Sequence, residues 1–177
     1  TRRELRGRNP KEVLPKVTAW VAALDKNDSK YEHHVLEALW VTWGLGKVDQ
    51  KLLKLMLKAK DYHARAAAVE VLRFTTHQVL DHVLLLTQAA QDENSRVRLD
   101  AIVAASWIGK TKGLPILAAA EKKPLDEWMI HAHKTSVAHL SGKAVVKEKV
   151  AVVAGTLKGK DLEMFNLGRE IYNKEGY

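Results

Sequence analysis

A chain of 177 residues with 46% hydrophobic content is long enough for one well-buried domain, or for about four to five helical repeats. No stretch nears the ~18–20 uninterrupted apolar residues of a membrane span, and the absence of cysteine excludes disulfides and thiolate chemistry. The net charge of +8 is uneven: residues 1–16 carry +4 and residues 141–177 carry +2, so the body between them is close to neutral and lacks the basic stripe of a duplex-DNA binder.

In chain order, residues 1–12 read as a basic arm. The start Thr1-Arg2-Arg3, without Met or an apolar leader, reads as a segment cut from a longer or matured chain. Val13–Leu24 then places Val13, Val17, Trp20, Val21 and Leu24 on one helical face. A polar turn ending at Asp28 leads into a second helix from about Ser29, with Val35, Leu36, Leu39, Trp40 and Trp43 apolar, closed by Gly44 and Gly46. A second pair follows: Leu52, Leu53, Met56 and Leu57, a turn at Lys60-Asp61, then Ala64–Phe74. The third pair is Val79–Ala90 and Val97–Ile108 around the turn Asp92-Glu93-Asn94, closed by Gly109. The fourth is Leu114–Ala120 and Trp128–Leu140 around Pro124, closed by Gly142. Pro15 and Pro115 are assigned to first turns, where a missing N–H costs nothing. No strand pattern occurs, so the predicted class is all-α.

These pairs recur at a fixed interval. Asp28, Asp61, Asn94 and Glu127 are evenly spaced and mark the turns, and Leu36, Val69 and Ile102 share one phase behind them. A constant period of about 33 residues belongs to a stacked repeat, in which no unit can bury its apolar face alone. Repeats are expected over 13–142, with 143–160 a capping helix or linker.

Candidate chemistry is sparse. His33-His34 with Glu37, and His131 with His133, have metal-ligand residue types, but neighbouring histidines on a helix diverge, so no metal site is expected. No Gly-rich phosphate loop or nucleophile elbow is present, and no catalytic residue is assigned. Arg65, Arg73, Arg96 and Arg98 could bind phosphate, but pairing with Asp61, Asp92 and Asp100 is the favoured assignment. Among the tryptophans, Trp20 and Trp40 fall in phase with the core and are expected to be buried. Trp43, Trp107 and Trp128 are the candidate surface contacts.

The strings Asp61…Arg65-Ala66-Ala67-Ala68-Val69 and Asn94…Arg98-Leu99-Asp100-Ala101-Ile102 resemble short HEAT repeats of the bacterial type. That resemblance implies a right-handed α-α superhelix, with the Asp-to-Arg spacing of four serving to pair within a repeat or to bridge to the next.

After Leu140 the pattern fades. Asn166-Leu167-Gly168-Arg169-Glu170-Ile171-Tyr172, running on to Gly176-Tyr177, resembles the N-terminal helix of a class I c-type cytochrome. The resemblance implies that Gly168 and Tyr172 are packing residues of a domain beginning at 161, with the haem-attachment cysteines beyond Tyr177. Together with Tyr31-Glu32-His33-His34…Leu36-Glu37-Ala38-Leu39-Trp40 and the two strings above, the chain is similar to a family of large exported bacterial proteins. In these, HEAT repeats join a sugar-dehydrogenase-like β-propeller to a c-type cytochrome domain. The resemblance implies a non-catalytic scaffold in a periplasmic electron-transfer protein. No cofactor would bind this chain, haem c would sit in the following domain, and the partners would be neighbouring domains or another protein. Two other classes are weighed against it: a DNA-binding protein related to the HEAT-like alkylpurine DNA glycosylases, and a stand-alone protein-binding solenoid.

Overall fold

The computed structural model describes residues 2–142 together with 158, 159 and 163. Its described helices lie in one compact unit, Thr1–Ser141, and no strand occurs among the described residues. In order they are α1 (Arg2–Arg6), α2 (Pro10–Ala22), α3 (Tyr31–Gly44), α4 (Gln50–Met56), α5 (Tyr62–Thr75), α6 (His82–Ala89), α7 (Ser95–Ala105), α8 (Lys110–Ala120) and α9 (Glu127–Leu140). The second helices of the pairs, α3, α5, α7 and α9, pack side by side in sequence order, and α4, α6 and α8 fill the other layer. One continuous core runs between the layers. Leu39, Leu53, Leu72, Leu86, Ile102 and Ile116 in it are fully buried, each worth roughly 1.5–3 kcal/mol.

Helix starts follow the side-chain oxygens. Asn9, Asp49, Asp61 and Asn94 accept hydrogen bonds from the first free backbone N–H groups of α2, α4, α5 and α7, which would otherwise lack partners. In the fourth unit the cap is Asp126, not Glu127, because the longer Glu side chain is a poor cap. In the first unit Asp28 instead closes a turn onto the Lys30 N–H at 2.8 Å. Gly46 ends α3 at φ 71°, with the Lys47 N–H bonded to the Thr42 carbonyl and the Gly46 N–H to that of Trp43. Gly44 is the last residue of α3 and not its stop.

Several boundaries differ from expectation. The arm at 1–12 contains α1, which packs on α3, and the first turn of α2. Asn9-Pro10, a cap followed by a proline at the first helical position, starts α2 one turn early. Pro15 and Pro115 therefore stand inside α2 and α8. Both are exposed there, as are Lys11 and Thr111 four residues before them, so water can reach the carbonyls that the prolines leave unpaired. The third pair begins with a 3₁₀ turn, Thr76–Gln78, and α6 is shorter than the predicted Val79–Ala90.

One repeat position ties successive units together. Glu32, Arg65 and Arg98 stand at the same place in consecutive repeats, and each reaches an inter-helix turn. The Glu32 carboxylate accepts from the N–H groups of Lys60 and Asp61 at 2.7 and 2.9 Å. Arg65, only 8% exposed, donates Nη1 to the carbonyls of Ala59 and Lys60, both at 2.9 Å. Its Nε and Nη2 grip both oxygens of Asp92 in the next turn, at 2.8 and 2.9 Å. Arg98 repeats the carbonyl contacts on Asp92 and Glu93, then reaches the Pro124 carbonyl at 3.1 Å. No acid stands at its far side, because the repeat equivalent of Asp92 is Leu125, and Arg98 Nε is buried without a partner. His131, the fourth member, is exposed.

Candidate interaction surface

The C-terminal ends of α3, α5 and α7 bring three aromatic side chains into a row. Trp43 stacks on Phe74, with ring centroids 5.7 Å apart and planes 15° from parallel. Phe74 meets Trp107 edge to face at 6.1 Å and 65°. The Arg73 guanidinium lies over both of the last two rings, 4.3 Å from the Phe74 centroid and 5.2 Å from that of Trp107. Each such pair holds its members in place by about 0.5–1.5 kcal/mol. The ledge is therefore ordered but uncovered: Trp107 is 65% and Phe74 40% exposed. Tryptophan and arginine are among the residue types that dominate binding energy at protein interfaces, and phenylalanine is enriched at their cores.

Next to the ledge runs a polar row of mixed sign. Arg96 Nε donates to Asp100 Oδ2 at 3.1 Å, and Glu70 and Arg73 act on the same carboxyl. Burial pushes the Asp100 carboxyl up, and Glu70 adds to that push, while Arg96 and Arg73 offset part of it. A raised folded-state value means that the fold tolerates the ionised form less well than the unfolded chain does. Asp100 therefore costs stability at neutral pH, and the cost fades as pH falls through its folded value. Asp100→Asn is expected to raise the melting temperature at pH 7 by about 1–2 °C, an advantage that melts recorded at successively lower pH should show vanishing.

The sequence-predicted residues divide accordingly. Trp43 and Trp107 join the ledge. Trp128, 76% exposed, stands in the first turn of α9, away from the helix C-termini that build it. The sequence reading considers Arg73 only for phosphate and gives Phe74 no surface role, although Phe74 and Trp107 lie one full repeat apart and that spacing is a usable signal. Trp20 is 43% exposed, contrary to its expected burial; its ring meets that of His34 at 6.0 Å between centroids, which leaves part of it open. Trp40 is half-buried beneath the Arg2 guanidinium, 4.4 Å from its ring centroid. Arg65 pairs with Asp92 and Arg96 with Asp100, while Arg98 binds backbone carbonyls and Arg73 is stacked. The four arginines considered for phosphate are thus engaged within the fold. His33 and His34 rings sit 5.9 Å apart and tilted by 57°. His131 is exposed while His133 is buried, its Nε2 3.1 Å from the Leu117 carbonyl. Gly168 and Tyr172 lie outside the described residues.

Paired helices stacked in register, with a turn clamp shared between neighbours, define a helical-repeat protein of the HEAT-like class. Residues 49–132 match the model of a family described as HEAT repeats, a span that takes in the second and third units and enters the fourth. Comparison with curated proteins and with solved structures returned no match. No helix among the described residues is long and apolar enough to cross a membrane.

Proposed function

We propose that this chain is a non-catalytic HEAT-repeat scaffold that holds neighbouring domains of one exported electron-transfer protein. The carrying observation is the aromatic ledge: Phe74 and Trp107, exposed on successive helices and held in place by half-buried Trp43 and Arg73, form a surface ready for a protein partner. The setting rests on resemblance. The run 166–177 is similar to the opening helix of a c-type cytochrome, with Gly168 and Tyr172 as its packing residues. The repeats would then lie between a dehydrogenase-like propeller and a haem c domain, in the periplasm. This chain binds no cofactor of its own in that arrangement.

Two measurements test this. The coding sequence just past the Tyr177 codon should specify Cys-x-x-Cys-His, and the longer product should stain for covalent haem. A stop codon there sinks the cytochrome setting. In the longer protein, hydroxyl-radical labelling of Phe74 and Trp107 should fall several-fold relative to this chain alone, with exposed Trp128 as the reference. Equal labelling in the two proteins would remove the ledge as the contact face.

A further inference from the structure

The two layers of the stack differ in charge. The first-helix segments of the second to fourth units, 47–60, 79–91 and 110–123, hold nine lysines against Asp49, Asp81 and Glu121, a balance of +6. The second-helix segments, 31–44, 61–75, 94–107 and 127–140, hold five lysines or arginines against six carboxylates. The near-neutral body is therefore a sum over two unlike faces. The few acids on the basic face are already engaged. Asp49 caps α4, Asp81 accepts from Lys54 at 2.7 Å, and Glu121 lies 3.4 Å from His133. Asp92 and Glu93, in the turn that follows α6, are held by Arg65. Seven of the nine lysines are exposed, and Lys54 alone has a carboxylate within ion-pair distance among the described residues.

Apolar side chains stand among these lysines. Leu80 is fully exposed, and Leu84 and Leu55 are 57% and 43% exposed. Leu80 and Leu84 lie at the start of α6, which bears no lysine or arginine. That helix packs on α8, and Lys54 of α4 reaches its other side through Asp81. An apolar strip thus lies between two lysine-bearing helices. Between α4 and α6 a notch of about 190 Å³ opens, walled by Leu57, Leu85, Ala89 and Val97 with Lys54 and Lys58 beside them. It is smaller than a small-molecule pocket and suits an anchoring side chain.

The composition of the face narrows the partner. Its three segments contain no aromatic residue and no arginine, so bases have no ring to stack on and phosphates no bidentate fork. The same lack of Trp and Tyr removes the side chains that anchor at a lipid interface. We propose that this face docks an acidic segment of a partner protein, an apolar side chain in the notch and its carboxylates on the lysines of α4 and α8. Charge then sets the choice of partner, and the anchor sets its register. The face is separate from the aromatic ledge, which stands on the C-terminal ends of the second helices, and does not depend on the function proposed above.

The test uses the whole chain and short labelled peptides: Glu-rich around central leucines, the same with Lys for Glu, and the same with Ser for the leucines. By fluorescence polarisation the Glu–Leu peptide should bind at least about tenfold more tightly than either control, and less tightly as salt rises. Lys51→Glu combined with Lys58→Glu, both at exposed sites, should weaken it by about tenfold or more. The same reversal at Arg3 and Lys11 of the N-terminal arm changes net charge equally and should leave binding intact. Equal loss in the two double variants would mean attraction to net charge alone and overturns the proposal. So does a control peptide that binds as well as the Glu–Leu peptide. A chain that passes over the peptide and binds oligothymidylate or phosphatidylserine vesicles instead also overturns it.

Discussion

Arg65→Ala should destabilise the stack by about 3 kcal/mol, lowering the melting temperature by roughly 6–12 °C for a domain of this size. The side chain is nearly buried and its bonds go in two directions, to the Ala59 and Lys60 carbonyls of its own turn and to both oxygens of Asp92 in the next. Truncation leaves Asp92 carrying a half-buried charge without its cation, and that loss dominates the cost. Arg65→Lys should recover less than half of it, because an ammonium cannot serve two carbonyls and grip a carboxylate bidentately. A pH series distinguishes this account from a simple cavity. Burial alone would raise the Asp92 carboxyl, but the Arg65 guanidinium and the Asn94 N–H outweigh it, so its folded value is lowered. A lowered value contributes stability that is full above the unfolded value of roughly 3.9 and is lost as pH falls through the folded one. Arg65→Ala should flatten that acid limb. A variant that merely loses packing would shift the whole curve and keep its slope.

Gly113→Ala is the second large effect, and its sign runs against helix propensity. On propensity alone, alanine in a helix gains about 1 kcal/mol over glycine. At Gly113, however, an added Cβ would collide with the Ala105 backbone carbonyl oxygen and would come within 2.6 Å of Leu140 Cδ1. Leu140 could rotate away, but the carbonyl belongs to the end of α7 and moves only with that helix. Overpacking of this kind costs about 1–3 kcal/mol or more, so a net loss of about 2 kcal/mol and a fall of roughly 4–8 °C in melting temperature are expected. Far-UV circular dichroism should stay helical. A variant melting above the parent would show that α8 does not approach α7 this closely in solution.

The helices and their pairing were legible because the apolar phase repeats at a constant interval and Asp or Asn stands where the second helices of the interior pairs begin. Periodicity reports which way a residue faces, not whether anything covers it. Trp20 therefore reads as a core residue, yet it is 43% exposed. Helix α1 holds one apolar side chain, Leu5, and offers no period to read; it is held by Arg2 against Glu37 and Trp40, contacts of high sequence separation. The partner of Arg65 was ambiguous for a related reason. Asp61, four residues away, satisfies the local rule for helix pairs, yet Asp61 caps its helix through the His63 N–H and the guanidinium extends to Asp92. Within the ledge, Phe74 and Trp107 were recoverable from spacing. Trp43 lies two positions off that phase and joins the row only through the reach of its ring.

The turn clamp also fixes the order of the units. The turn at 59–61 presents N–H groups to Glu32 from one side and carbonyls to Arg65 from the other. The turn at 92–94 offers Arg65 the Asp92 carboxylate instead. Excision of one period between them would set Glu32 opposite Asp92 and Glu93, carboxylate against carboxylates, with the Arg65 guanidinium removed. Although the repeats share a fold and a length, they are not interchangeable bricks, and this array cannot be shortened by removing its second unit without a compensating charge reversal at position 32.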